Sequence, residues 1–566
     1  MKSTLCRALL GALLVNSAAV AVGQEADSNE FPGIFGEVID VRVVNLEVVV
    51  TDRDGIPVRG LDVDDFILSV DGQDIPVEYF SEIQGGVALK RSARREGALP
   101  GIGAVEPGAH VGTSYLVFID DYFSISRDRA KVLRALEDSV SLVGVDDRMA
   151  IVAFDGKRLE MLTTWTNSTR DLQRALKKAA GRPSHGLERL IERRQFDLEK
   201  ATRFSSQIFD GERTAEEVFR AFLDPNERYY VTRLARQLEN TVAAAAVTLR
   251  SFAQPPGRKV MILLSGGWPF LPAGFLLNDG LRFMSASYGS QGSSIFRPLT
   301  DTANLLGYTL YPVDVPGLDG AFQGEASRSG ADFFTTTSGQ NGQRAGSSFF
   351  REQELHSTLR YLAAETGGRA ILNSGRLAAL DAVFEDTRSY YWLGFTPSRD
   401  WDDRHHKLQV RLRKGSFKIR SRRGYVDSSR QSEVTMAVES ALLFGGSTGQ
   451  GVIEVKVSRP RRTGMRRMEV PIALKIPLKE ITFIPSDTVQ VATLELRIAV
   501  IDEGGSRSDV PLVPLTIELP AGSQVEGFGN YETVLKMRRV DHQAIIAIYD
   551  VASGRILSAS VDIEVN

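Results

Sequence analysis

Cysteine is almost missing from this chain: its 566 residues include one, Cys6. Cys6 precedes the N-terminal apolar run instead of following it, so it does not stand where a lipid-modified cysteine would. Without the leader the chain has no disulfide, no thiolate nucleophile and no cysteine metal site. Histidine is scarce as well. His110, His185, His356, His405, His406 and His542 show no His-Glu-x-x-His and no i, i+4 pair, and His405-His406 would point to opposite faces of a strand. A charge excess is also lacking: the net charge of −3 gives no general attraction to nucleic acid or an acidic membrane. There is no phosphate-cradling Gly-x-x-x-x-Gly-Lys-Ser/Thr and no Gly-x-Gly-x-x-Gly after a strand. Gly445-Gly446-Ser447-Thr448-Gly449 spells a nucleophile elbow by letter, but Val452–Val457 after it reads as a strand where the elbow needs a helix. Paired carboxylates (Asp64-Asp65, Asp146-Asp147, Asp402-Asp403) fall in turns, as solvated caps do. These absences argue against an enzyme.

Long apolar runs are lacking too, apart from Ala8–Val22. That run is short for a helix crossing about 30 Å of hydrocarbon, and Asn16 and Ser17 interrupt it. With Lys2 and Arg7 before it and small residues around Ala21 and Gly23 after it, residues 1–23 read as a signal peptide. The expectation is an exported protein, periplasmic or extracellular, with no stable membrane span after cleavage.

What is present divides by rhythm. Residues 37–83 read as a small N-terminal β module: a β-branched run over Val41–Thr51, a turn at Asp52–Gly55, and a hairpin closed by Asp71-Gly72. Residues 84–112 lack periodicity and read as a linker. From Tyr115 uniformly apolar strands alternate with helices. Strands are predicted at Tyr115–Ile119, Met149–Phe154, Lys259–Leu264, Thr309–Val313 and Arg369–Leu372. Helices are predicted around Val132–Val140 and at Asp171–Ala180, Val231–Phe252, Thr300–Leu306, Glu352–Glu365 and Leu377–Thr387. Strands apolar along their length imply burial on both faces, so 113–388 is expected to be a doubly wound, mostly parallel α/β domain. A β-strand extension at 389–428 follows, and 432–566 reads as an all-β sandwich. Ser285–Ser294 and Thr335–Ser348 are low in complexity and read as mobile loops.

Several segments in this order resemble the von Willebrand factor type A fold, and more specifically the VWFA-related domain family described from acidobacteria. They are Val44–Phe80 (including VVVTDRDGIPVRGL and Asp64-Asp65-Phe66), Val260–Gly267 (VMILLSGG), Tyr390–Pro397 (YYWLGFTP) and Arg420–Tyr425 (RSRRGY). The resemblance covers about residues 37–426. It implies a divalent-cation site at the top of the sheet, built from Asp-x-Ser-x-Ser, a Thr and a later Asp. The matching first segment is Asp120-Asp121-Tyr122-Phe123-Ser124, where Asp120 and Ser124 match and Tyr122 replaces a serine. Ser184 stands where the Thr is expected, and Ser265-Gly266 replaces Asp-Gly. The site therefore reads as degenerate, with Mg²⁺ held by Asp120, Asp121, Ser124 and Ser184 as the alternative. The plainer reading has Asp120 accepting hydrogen bonds from the amides that begin the next helix.

Ligands of doubly wound sheets bind at the carboxyl ends of the strands. The long insertions fall there, at Arg182–Arg228, Gly266–Phe296 and Pro316–Phe350, and carry Trp268, Phe270, Phe275, Phe283, Tyr288, Phe333 and Phe334 among Gly and Ser. These aromatics read either as a contact surface or as packing under their own loops. Basic clusters at Arg404–Arg423 and Arg459–Arg467 read as solvated strand faces, or as attraction for acidic polysaccharide, lipopolysaccharide or an acidic protein. The expected function is a non-enzymatic interaction protein that binds a protein or glycan through Asp120, Asp121, Tyr122, Ser124, Ser184, Ser265 and Trp268, without nucleic acid. The alternatives are an Mg²⁺-dependent adhesin and a cell-envelope hydrolase with an unrecognised site.

Overall fold

The computed structural model describes residues 44–93, 107–192, 195, 225–252, 257–272, 285–315, 341–372, 378–397, 402–444, 451–502, 508 and 510–564. Residues 1–23 and 445–449 lie outside these, so the leader and the Gly-x-Ser-x-Gly match have no structural account. The chain divides into two compact units, broken between Ser429 and Arg430.

The first unit opens with β1 (Val44–Thr51), β2 (Phe66–Val70), β3 (Gln73–Ile75), β4 (Tyr79–Gln84) and β5 (Val87–Ala93). Asp71 and Gly72 both take positive φ (49° and 86°), the geometry that a two-residue hairpin demands, and β2 pairs β3 directly across them. Residues 87–93, expected in a linker, form β5 and pair with β4. Next come β6 (Thr113–Asp120), α1 (Ser126–Ser139), β7 (Arg148–Phe154), β8 (Leu159–Thr166), α2 (Thr169–Ala180), α3 (Pro225–Ser251), β9 (Arg258–Ser265), α4 (Ser285–Leu306), β10 (Tyr308–Asp314), α5 (Asn341–Thr366) and α6 (Ala378–Asp386). The unit closes with β11 (Tyr390–Phe395), β12 (His405–Leu412), β13 (Lys418–Arg420) and β14 (Gly424–Val426).

The protein is thus mixed α/β with several sheets. The central sheet runs β10-β9-β6-β7-β8, parallel except for its last pair. Alternate residues of β6 feed opposite faces. Tyr115, Val117 and Ile119 share a core with Val132 and Leu136 of α1, Leu172 and Leu176 of α2, and Phe384 of α6. Leu116 and Phe118 are as fully buried on the other side, where α3 packs on β6. Strands β1–β5 and β11–β14 build a separate pair of sheets, ordered β13-β1-β11-β4-β5 and β14-β12-β2-β3. Leu46, Val48, Phe66, Leu68, Phe80, Leu393, Leu408 and Tyr425 form one core between them. The α/β segment is therefore inserted between the two halves of a single β structure.

Low complexity did not mean loop in the parts described. Ser285–Ser294 lies in α4, where Gly292 lets the helix approach Phe270: a Cβ there would fall 2.7 Å from the Phe270 carbonyl oxygen. Residues 341–348 belong to α5, while 335–340 are outside the described residues. The strand expected at Arg369–Leu372 is reduced to one bridge between Ile371 and Val313. Among the described residues no helix is long and apolar enough to cross a membrane.

The second unit begins with a helix, α7 (Arg430–Phe444), where the sequence read as all β. Its buried Val434, Val438, Ala441 and Leu442 recur at helical spacing. Of these, Val438, Ala441 and Leu442 cover Ala499, Ile545 and Ala547. Two antiparallel-rich sheets follow. The larger centres on the strands Val489–Asp502 and His542–Asp550, the smaller on Arg467–Pro477 and Phe528–Arg538. They share a core of Val470, Ile472, Leu474, Leu494, Leu496 and Ile546.

Candidate functional site

β6 ends on Asp120, whose side chain is fully buried. Its Oδ1 accepts the backbone N–H groups of Tyr122 and Phe123, both at 3.0 Å. Its Oδ2 accepts the Trp268 indole N–H at 2.8 Å and the Gly266 N–H at 3.3 Å. Burial raises the carboxyl pKa to about 6, against the pull of the Phe123, Trp268 and Gly266 donors and helped by the neighbouring Asp121 charge. Asp121 is equally buried. One of its oxygens accepts from the Arg129 guanidinium and the other from Arg182 Nε at 2.7 Å. Burial raises its pKa too, opposed first by the Arg129 charge. Arg129 is itself fully buried and donates further to the carbonyls of Arg182 (2.5 Å) and Pro183 (3.3 Å), while Arg182 also reaches Glu160. The pair clamps the 182–184 loop onto the end of β6.

The 120–124 segment is held from both sides by glycines. A Cβ on Gly186 would lie 2.4 Å from the Ser124 carbonyl, and one on Gly266 would lie 2.2 Å from the Phe123 carbonyl carbon. Hydrogen bonds complete the seam, His185 N–H to the Asp121 carbonyl at 2.9 Å and Gly186 N–H to that of Ser124 at 3.1 Å. Ser124 Oγ is buried with no hydrogen-bond partner among the described residues. Ser184 is partly buried in the clamped loop, and Ser265 Oγ accepts the Gly267 N–H at 3.2 Å. Tyr122 is half-buried. Arg189 Nη1 donates to its hydroxyl at 3.0 Å, and the Arg189 guanidinium lies 5.1 Å from the ring centroid. Burial raises the hydroxyl pKa.

Trp268 is the clearest departure from the sequence expectation. It presents nothing to solvent, because its indole is fully buried on Asp120 and stacks on Phe296 at 6.3 Å. Phe270 stacks on the same ring at 6.0 Å. Phe275, Phe283, Phe333 and Phe334 lie outside the described residues. What does face outward is a helical stretch over 186–192, with Leu187 55% and Ile191 46% exposed, one turn apart.

The sequence reading missed Arg129, Arg182 and Arg189. Arg129 did leave a signal, since it shares the stripe of Val132, Leu133 and Leu136, where a charge has to be paired. It also missed a buried pair at the same end of the sheet, where the ring Nε2 of His356 lies 2.9 Å from the Asp314 carboxylate. The basic run at 404–423 is not a free solvated face throughout. Arg422 is buried and donates to the carbonyls of Asn304 and Asn45, both at 2.5 Å, and Arg420 forks onto Asp386. Arg459, Arg461, Arg462, Arg466 and Arg467 are exposed. Among the described residues no three His, Cys, Asp or Glu side chains converge as metal ligands.

No known family model matches the chain. No curated protein matches its sequence. Among solved structures, the vWF domain of the type V pili tip protein Mfa5 from Porphyromonas gingivalis aligns at a TM-score of 0.15 and 14% identity, over 28% of this chain and 38% of that one. The PilB minor pilin from Streptococcus sanguinis aligns at 0.25 and 10% identity, over 62% and 87%. Likeness at that level fixes neither family nor role.

Proposed function

We propose that this is an exported, non-enzymatic binding protein. Its first unit presents the loops at the carboxyl ends of the parallel strands to a protein or glycan ligand, without a metal ion. The fold it would use is a doubly wound sheet of the von Willebrand factor type A kind with a degenerate metal site, and the leader-like residues 1–23 support export.

The observation that carries the reading is that the buried carboxylates of Asp120 and Asp121 are already held by hydrogen-bond donors, with Arg129 and Arg182 balancing the charge of Asp121. Mg²⁺ asks for about six oxygens at close range. Here all four carboxylate oxygens already accept from N–H or guanidinium groups, and Arg129 and Arg182 bring positive charge where a cation would bring it. The donor set does not fit a divalent cation. Both side chains are fully buried, so neither carboxylate is placed to take a proton from a substrate. Leu187 and Ile191 favour a protein ligand, because exposed aliphatic side chains beside a rigid seam suit apolar contact.

The test is thermal unfolding of the mature chain with excess chelator, then with Mg²⁺, Mn²⁺ or Ca²⁺, alongside binding to an envelope fraction. Under this reading no cation shifts the transition, chelator leaves binding intact, and Leu187→Ser with Ile191→Ser weakens it. A cation present at about 100 times its dissociation constant would add about 2.7 kcal/mol. A shift of that size that vanished in Asp120→Ala would establish the adhesin instead, and turnover in a broad hydrolase screen would establish an enzyme.

A further inference from the structure

A cavity of about 650 Å³ opens in the first unit between the end of α5 and strands β12 and β13. That volume lies within the range of small-molecule sites. None of its lining residues belongs to the 120–124 seam. Along α5 and its stop the wall is alanine and glycine, including Ala363 and Gly367. Gly367 takes φ +78° and lies so close to β13 that a Cβ would fall 2.6 Å from the Ser421 carbonyl carbon. The helix therefore ends in close backbone contact with the strand, and Gly367 adds no side chain to the cavity wall.

Among the described residues four cations line this cavity, Arg360, Lys407, Arg420 and Arg423, and no carboxylate does. Two of the four are balanced from outside it. Arg420 forks onto Asp386 at 2.9 and 2.5 Å, and Arg423 Nη1 reaches Glu365 at 3.2 Å. Arg360 and Lys407 are exposed and have no carboxylate partner among the described residues. A basic strand face kept for solubility would spread its charges over a flat surface. Here they surround a concavity that has an uncharged wall.

We propose that this cavity binds a small amphipathic organic anion. The apolar body lies along the Ala363–Gly367 wall, and the carboxylate, sulfonate or phosphate group lies between Arg360 and Lys407. Charge-assisted hydrogen bonds of this kind are the strong ones. The site is independent of the loop-face reading, so either can fail alone.

The probe is 1-anilinonaphthalene-8-sulfonate, titrated by fluorescence into the full chain beside its uncharged relative N-phenyl-1-naphthylamine. One sulfonate dye should bind per chain. Arg360→Ala with Lys407→Ala should weaken it about tenfold or more, and Arg360→Lys with Lys407→Arg should retain it. Both side chains are exposed, so the variants should unfold at the wild-type temperature. Ala363→Phe should block the dye without touching a charge. Equal affinity in the double alanine variant, or equal binding of the uncharged dye, overturns the proposal.

Discussion

Arg129 and Asp121 form an ion pair with neither side chain exposed to solvent, eight residues apart across the turn from β6 into α1. The pair couples three elements, because Arg129 also holds the 182–184 loop through two carbonyls. Removing one partner of a buried pair leaves the other charge uncompensated, which costs more than the pair contributes as a whole. Arg182 still pairs Asp121 at 2.7 Å, so Arg129→Met is expected to cost the first unit the lower end of the about 3–5 kcal/mol that breaking a buried pair takes, read in urea unfolding. Adding Asp121→Leu should recover part of that loss, since Arg182 keeps Glu160. A double variant less stable than the single one would contradict this account.

Asp120 gives a pH dependence opposite in sign to that of an ordinary surface carboxylate. Its folded pKa of about 6 lies above the unfolded value near 3.8, so the native state holds the proton more tightly. The stabilisation is fully present below the unfolded pKa and is lost as pH rises through about 6. Asp120→Asn cannot titrate, although it loses one acceptor oxygen and carries a constant penalty. The stability advantage of wild type over this variant should narrow between pH 4 and 6.5, by something of the order of 3 kcal/mol. A gap that widens over that range would mean that the four N–H donors outweigh burial.

How much of this was legible depended on whether the signal was local. The uninterrupted apolar run of Tyr115–Ile119 announced a strand buried on both faces, and Asp120 was legible as an acceptor for the amides that follow it. The positive-φ turn at Asp71-Gly72 was legible for the same reason. Arg182 was not, because its partner Asp121 lies sixty-one positions earlier and nothing in either neighbourhood encodes the meeting. Nor was the joining of β1 with β11, since a strand's pattern shows which face is buried but not which strand lies beside it. β8 escaped notice as a half-polar edge strand. The first half of α4 escaped because Gly292 there serves close packing against Phe270, while the Gly- and Ser-rich composition alone reads as a loop.

The glycines flanking the 120–124 segment should tolerate nothing larger. In Gly266→Ala the new methyl group meets the Phe123 carbonyl carbon and the Ser124 nitrogen at 2.2 Å, both backbone atoms fixed by the Asp120 hydrogen bonds. Overpacking of this kind costs about 1–3 kcal/mol, and Gly186→Ala should behave alike. Gly181→Ala is the matched control in the same unit. Its nearest neighbour would be 3.7 Å away and its φ is −80°, so the change should be neutral or slightly stabilising. The three urea midpoints decide the matter, and equal values for all three would dissolve the claimed seam.

His406 and Asp71 define a second pH window, this time in the β structure. His406 Nδ1 lies 2.8 Å from Asp71 Oδ2, its Nε2 lies 3.4 Å from Asp402, and its ring stacks on Tyr425 at 5.0 Å. Burial pulls the imidazolium down, but the hydrogen bonds to Asp71 and Asp402 outweigh it and the His406 pKa is raised. Asp71 is lowered, first by the His406 hydrogen bond and then by the Lys407 N–H. For the raised histidine, the stabilisation is full below about pH 6.5 and is lost as pH climbs through its folded value. For the lowered aspartate it is present above the unfolded value near 3.8 and is lost as pH falls. The pair therefore contributes most between those limits. Asp71 is about half exposed, so solvent screening keeps the contribution small. In His406→Gln both edges should flatten, with wild type losing its advantage as pH rises above about 6.5 and again as it falls below about 3.8. An imidazole titration followed by NMR at the ordinary histidine value would remove the basis for the upper edge.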